Sequence, residues 1–154
     1  MLSPTPRTCR AADDMANHAT SGSERITKWF RESPFARHLG YRIDDLTRDR
    51  AVVVLPFRDQ LTTLDDLVHG GVLAALVDAT SSAAAWSGAD VSENARGATV
   101  TLSIDFVRMA RGSELRAEGR VIRRGANLCF CLVDITDESG EVVAAGRAVY
   151  KLTP

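Results

Sequence analysis

The chain predicts an α+β fold: a curved antiparallel sheet wrapped around one long central helix, with short helices at the N-terminal end. Three observations lead there. Residues 72–86 are almost all Ala, Leu, Val, Ser or Thr, long enough for a buried helix and too short for a membrane span. Two strand-like runs precede this segment, and four follow it. The last three of those four are separated by the turn-forming stretches Arg124-Gly125-Ala126 and Glu138-Ser139-Gly140, as in consecutive hairpins. A sheet can cover one face of such a helix, which leaves the other for a partner subunit.

The elements follow in order. Residues 1–22 are rich in Ser, Thr, Pro, Ala and Asp without periodicity and are expected to be a disordered extension, with Met15 as an alternative start to Met1. One domain is expected over residues 23–154. Ser23 caps a short helix to about residue 31, with Ile26, Trp29 and Phe30 inward, and a further turn spans 34–39 before Gly40. Residues 41–47 and 50–57 read as strands, the second around the β-branched run Val52-Val53-Val54. Residues 58–68 and 88–97 read as loops flanking the long helix. Val100, Leu102, Ile104 and Phe106 then alternate with Thr99, Thr101, Ser103 and Asp105, a period-two strand. Residues 114–123, 127–136 and 141–151 complete the set.

Composition narrows the function. At 154 residues, 45% hydrophobic and 25% charged, the chain has the make-up of an ordinary globular domain. A formal net charge of −1 argues against non-specific nucleic-acid binding. The odd count of three cysteines, with Cys129 and Cys131 two apart in an apolar strand, fits neither a disulfide framework nor a metal site. No apolar run spans a membrane and no signal peptide is evident, so the cytoplasm is the expected location.

The candidate chemistry sits on the long helix. His69-Gly70-Gly71 opens it, and two glycines leave backbone N–H groups uncovered at the positive end of the helix dipole. Asp78 is the one carboxylate inside the apolar segment, costly there unless paired, hydrated or used. The eight-residue step from Gly70 to Asp78 spans roughly 12 Å at about 1.5 Å per residue, too far for one carbonyl and its attacking water to touch both. Two antiparallel copies of the helix bring Gly70 of one beside Asp78 of the other. Gly71, Ala74, Ala75, Asp78, Ser81, Ser82 and Ala85 make a face of small residues suited to that contact, while Leu73, Leu76, Val77 and Thr80 face the sheet. A plain core helix with a hydrogen-bonded Asp78 satisfies the same pattern.

The run from His69 to Asp78, with the later strand Thr101-Leu102-Ser103-Ile104-Asp105-Phe106-Val107-Arg108, resembles the hotdog-fold acyl-CoA thioesterases, in particular the phenylacetate-degradation and 4-hydroxybenzoyl-CoA thioesterase group. The resemblance covers roughly residues 35–152. It implies a hotdog fold, an acyl-CoA substrate with an aryl or medium-chain acyl group, no cofactor, no metal, and a homodimer that pairs into a dimer of dimers. It further implies that the Gly70 N–H polarises the thioester carbonyl. Asp78 of the opposite subunit is then general base or nucleophile, and Thr99 orients the water. His69 either positions the carbonyl or caps the helix. Gly71 and Ser82 are expected to contact the substrate beside the catalytic pair. Relatives often carry Asn and Gly in the preceding loop where this chain has Thr63 and Asp66, so Thr63 stands in the place of a carbonyl donor.

Arg108, Arg111, Arg123 and Arg124 lie at strand ends or turns where guanidinium groups reach a coenzyme A diphosphate or are solvated charges. The 88–97 loop with Arg96 is expected to border the acyl pocket, whose depth depends on Tyr41, Trp86 and Phe106. Two other functions fit the resemblance: a non-catalytic acyl-CoA-binding dimer, and a hotdog dehydratase or hydratase. The second lacks its usual His followed four residues later by Pro-Gly.

Overall fold

The computed structural model describes residues 20–153; most of the expected N-terminal extension and the choice between Met1 and Met15 lie outside them. The described part begins in a strand, β1 (Thr20–Ser21), where composition predicts extension to residue 22. Next come α1 (Gly22–Glu32), α2 (Pro34–Leu39), β2 (Arg42–Thr47) and β3 (Arg50–Leu55). The stretch read as a loop contains a 3-10 turn (Asp59–Leu61) and a miniature hairpin, β4 (Thr62–Leu64) and β5 (Leu67–Val68). After α3 (Gly70–Ser87) come β6 (Asp90–Val91), β7 (Arg96–Phe106), β8 (Leu115–Arg124), β9 (Leu128–Thr136) and β10 (Val142–Thr153).

The main sheet is antiparallel in the order β2-β3-β8-β9-β10-β7. Helix α3 contacts all six of its strands, so the sheet wraps the helix as the sequence predicts. The alternation that sets this packing is clear in β8, β9 and β10, whose residues switch between buried and exposed along most of each strand. Leu73, Leu76 and Val77 are buried against Val53, Leu115, Val133 and Val143. Two glycines let helix and sheet approach closely: a Cβ on Gly146 would lie 2.5 Å from Val77 Cγ1, and one on Gly119 2.8 Å from Thr80 Cγ2. Cys129 and Cys131 are free and buried, and burial pushes the Cys131 thiol up to about 12. Both therefore stay protonated core residues.

Helices α1 and α2 close one side. Trp29 meets Trp86 edge-on at 4.8 Å, and Phe30 meets Tyr41 at 5.3 Å. Ser33 accepts a hydrogen bond from the Ala36 N–H to cap α2, and Gly40, with φ of 78°, ends it in the left-handed region. Ser23 is not the cap of α1: its hydroxyl donates instead to the Ser87 carbonyl, tying α1 to the end of α3. The 88–97 segment is drawn to the same place. Arg25 donates to the carbonyls of Ser92 and Glu93, and β6 pairs with β1.

Strand β7 is a strand as expected and begins three residues earlier than the alternation. It lies at the sheet edge, paired only with β10, and its apolar residues are not in the core. Val100 and Phe106 are each 56% exposed and Leu102 is 36% exposed, with Ile104 alone half-buried against the main cluster. The period of two is present, but among the described residues nothing covers Val100 and Phe106. Among the described residues no helix is long and apolar enough to cross a membrane.

Candidate active site

The start of α3 is organised by His69. Its Nδ1 accepts a hydrogen bond from the Gly71 N–H at 2.8 Å, and its carbonyl accepts from the N–H groups of Val72 and Leu73. The His69 N–H itself donates to the Leu61 carbonyl. Of the first N–H groups of the helix, only that of Gly70 finds no acceptor among the described residues. The imidazole thus works as an N-cap, the second of the two roles open in the sequence, and it uses up the Gly71 donor. Gly71 is exposed but cannot offer its N–H to a substrate while this bond holds.

Gly70 opens into a cavity of about 320 Å³ lined by Thr63, Leu73, Phe106 and Arg108, among others. The structure therefore brings Thr63 and Arg108 to the same depression as the free N–H. Arg108 also pairs with Asp137 at 2.5 Å. Hydrogen bonds from the Ser139 hydroxyl and from Arg108 hold the Asp137 carboxyl below its usual range. Asp66 is held in the turn before α3 by Arg111 at 2.6 Å.

Asp78 is exposed rather than enclosed: among the described residues, Gly71, Ala74, Ala75, Asp78 and Ser82 of the expected small-residue face are exposed or half-buried, whereas Ser81 and Ala85 are packed inside the protomer and do not belong to an open face. It forms no ion pair among the described residues. Its one side-chain partner among the described residues is Thr99, whose hydroxyl donates to Asp78 Oδ1 at 2.5 Å. The carboxylate opens into a second cavity, about 460 Å³, walled by Ile26, Trp29, Phe30, Tyr41 and Ser82. Burial pushes the Tyr41 phenol upward, and the negative charge of Asp78 adds to the effect. The same carboxylate adds to the rise that burial imposes on Tyr150. Both phenols are therefore neutral neighbours of an anion. The Ser82 hydroxyl donates to the Ala79 carbonyl, so this residue offers the cavity a small wall, not a free donor.

No residue lines both cavities. Gly70 and Asp78 face different depressions of one protomer, as their separation along the helix requires.

Several expected site residues fall elsewhere. Arg124 donates to Asp49 and, at 2.8 Å, to the Ala85 carbonyl, clamping the end of α3 to the β2–β3 turn. It is not free for a phosphate, because its charge is paired and its donors are spent. Arg123 is exposed on β8 and lines neither cavity, and Arg96 turns back onto the carbonyls of Asn94 and Ala95. The 88–97 segment does not border the Asp78 cavity. Trp86 is fully buried, its indole N–H donating to the Tyr150 hydroxyl at 3.0 Å, and adds nothing to pocket depth. What the sequence did not expose is that α1 supplies the wall facing Asp78. Its amphipathic spacing puts Ile26, Trp29 and Phe30 inward, but which surface they meet is set by tertiary packing.

The model of the thioesterase superfamily matches residues 66–144, the stretch that carries both half-sites. A protein of Mycobacterium tuberculosis with a provisional esterase name is 33% identical over 74% of this chain and 82% of its own length. Acyl-coenzyme A thioesterase 13 of Mus musculus is 28% identical over 64% of this chain and 70% of its own. The solved structure of the Escherichia coli PaaI protein, from the phenylacetic acid degradation operon, superposes with a TM-score of 0.70 at 23% identity. That superposition covers 84% of this chain and 97% of PaaI, a likeness of fold.

Proposed function

Because this chain belongs to the thioesterase superfamily, with the hotdog fold, and is a thioester hydrolase, we propose that it cleaves acyl-CoA esters of aryl or medium-chain acids at a site shared by two subunits. The observation that carries this reading is the division of labour within one protomer. An unclaimed donor, the Gly70 N–H, opens into one cavity, and an unpaired carboxylate, Asp78, opens into another. Pairing two α3 helices antiparallel through their small-residue faces joins the cavities into two complete sites.

In each site the thioester carbonyl accepts a hydrogen bond from Gly70 of one subunit. Asp78 of the other takes a proton from water as the water oxygen attacks the carbonyl carbon. The tetrahedral oxyanion is stabilised at the helix N-terminus; as it collapses the C–S bond breaks and the proton held by Asp78 passes to the leaving thiolate, releasing the acid and the coenzyme A thiol and restoring the carboxylate. Thr99 holds the carboxylate in orientation, His69 fixes the first turn, and Thr63 and Arg108 border the carbonyl and pantetheine side. The acyl group occupies the cavity beside Asp78, whose size and aromatic wall suit an aryl or medium-chain group. Free buried cysteines and a nucleotide thioester substrate fit a cytoplasmic setting. Leu128 and Phe130, exposed on β9 in alternation with the buried Cys129 and Cys131, support pairing of such dimers through outward sheet faces.

The shared site is tested by complementation. Gly70→Pro removes the donor, because proline is tolerated at the first helical position and His69, at φ −62° and ψ 134°, already has the backbone a preceding residue needs; the new Cβ would lie 3.3 Å from the Phe106 ring, so Gly70→Ala, which keeps the N–H, is the control for that contact. Gly70→Pro and Asp78→Asn homodimers should each be inactive. Unfolded and refolded together, they should recover about a quarter of wild-type activity, since half the dimers are mixed and each holds one intact site. No recovery in the mixture would overturn the shared site.

A further inference from the structure

We infer that the Phe30–Tyr41 ring pair is the floor of the acyl cavity and sets the longest acyl group the enzyme hydrolyses, with a cationic compartment behind it. This rests on reading the Asp78 cavity as the acyl site. A separate depression of about 400 Å³, open to solvent, lies on the far side of the pair, bordered by the end of α1, by α2 and by the start of β2. Phe30, Ala36 and Tyr41 line both spaces. Ala36 is a buried backbone-sized filler, so the partition is in effect two rings in contact, tilted by 55° with centroids 5.3 Å apart.

The chemistry changes sharply across this partition. On the Asp78 side the wall is Ile26, Trp29 and Phe30, and the charged groups that line it, Glu32 and Asp78, are both carboxylates. On the far side stand Arg31, Arg37 and Arg42, and no carboxylate lines the space. Arg37 donates from one guanidinium nitrogen to the carbonyls of Arg31 and Glu32, which leaves its charge unneutralised. Arg42 reaches Glu114 only at 3.9 Å, and Arg31 has no ion pair among the described residues. An apolar chain that stops at the rings is well housed. One that passes them carries its end among three cations, where a terminal carboxylate gains and a terminal methyl does not.

Removing the Phe30 ring should therefore join the spaces and change the order of substrates, not only the rate. The experiment measures coenzyme A release by the wild-type dimer and Phe30→Ala from hexanoyl-CoA, decanoyl-CoA and the ten-carbon ω-carboxyacyl-CoA, sebacoyl-CoA. Wild type should hydrolyse decanoyl-CoA at least about tenfold less efficiently than hexanoyl-CoA, the discrimination a fixed wall can impose. In Phe30→Ala the decanoyl-to-hexanoyl ratio of kcat/KM should rise about tenfold. The sebacoyl-to-decanoyl ratio should rise too, and Arg31→Ala in the same background should cancel that second gain.

Should Phe30→Ala not yield folded dimer, Phe30→Leu gives the same shifts at smaller size. Ratios that stay at wild-type values, with every substrate slowed alike, overturn the floor. A wild-type enzyme active but indifferent to chain length overturns it as well. If wild type releases no coenzyme A from any of the three, nor from phenylacetyl-CoA or benzoyl-CoA, the acyl-CoA reading itself fails, whereas release from the aryl thioesters alone overturns the floor.

Discussion

Replacing His69 separates a cap from a substrate contact. In the structure the imidazole Nδ1 accepts from the Gly71 N–H at 2.8 Å, the second helical residue, which is the geometry of an N-cap. His69→Ala removes that acceptor and leaves the Gly71 donor to water. Loss of an N-cap costs about 1 kcal/mol, within a range of roughly 0.5–2 kcal/mol. For a domain of this length that corresponds to a melting shift of about 2–4 °C per kcal/mol. The first turn also carries the proposed oxyanion donor, so fraying it should lower kcat by about tenfold. His69→Asn restores a short side-chain acceptor in the capping position without an imidazole. Thermal melting and coenzyme A release should therefore both return to near wild type in the Asn variant, with kcat within about threefold. The reasoning is refuted if His69→Asn melts like wild type but remains about a hundredfold slow. The ring would then act on the substrate, and the cap would be incidental.

Asp78→Asn should keep the fold and coenzyme A affinity while lowering kcat by about two to four orders of magnitude, the range for loss of a general base; turnover within a few-fold of wild type would remove the residue from the chemistry. Thr99→Val deletes the one side-chain hydrogen bond to Asp78 and should cost about tenfold in kcat with little change in KM, and mass spectrometry of the wild-type enzyme quenched during turnover should show no acyl group on Thr99. A covalent acyl-Thr99 species would make it a nucleophile instead. Gly146→Ala drives a methyl to 2.5 Å from Val77 Cγ1 in the middle of the helix–sheet contact, and should destabilise by about 1–3 kcal/mol in chemical denaturation. Val77→Ala in the same chain should recover part of that loss, and a deeper loss in the double variant would argue against overpacking.

How much of this was legible depended on whether a residue's partner lay close in sequence or in the same periodic pattern. The buried helix, the three C-terminal strands and the pairing of glycine turn with strand rest on local signals, and the main elements stand within a few residues of where those signals put them. The strands β1, β4, β5 and β6, two or three residues long, carry no period and could not be read. Arg124 shows why a strand-end arginine is a poor phosphate marker. Its partner Asp49 and the Ala85 carbonyl are far away in sequence, and together they consume the donors that made it a candidate. Trp86 and Tyr150 satisfy each other in the core for the same long-range reason. His69 carried two roles in the sequence, and only the position of Nδ1 relative to Gly71 separates them. The alternation in β7 was read correctly as a strand, but the exposure of its apolar residues was not legible, since a period reports two faces and not what covers them.

That uncovered strand also tells how two half-sites could meet. Thr99, near one end of β7, holds Asp78, and Phe106, at the other end, lies against Gly70: a Cβ on Gly70 would come within 3.3 Å of its ring. The free edge of β7 offers unpaired backbone groups beside exposed apolar side chains, an arrangement that a monomeric protein has reason to avoid. Antiparallel pairing of two such edges about a two-fold axis places the Thr99 end of one strand beside the Phe106 end of the other. Each Asp78 then stands next to the partner's Gly70 cavity, and the axis passes near Leu102 and Ser103. A residue beside a two-fold axis meets its own copy. Leu102→Asp should thus bring two carboxylates together at a junction that otherwise buries two leucines, an arrangement doubly unfavourable through repulsion and desolvation. The variant should sediment as a monomer at micromolar concentration, keep its melting transition as a folded chain, and lose activity in proportion to the lost dimer. Raising the protein concentration should restore both together. An active Leu102→Asp monomer would show that one chain completes the site alone, and a stable but inactive dimer would place the axis somewhere other than β7.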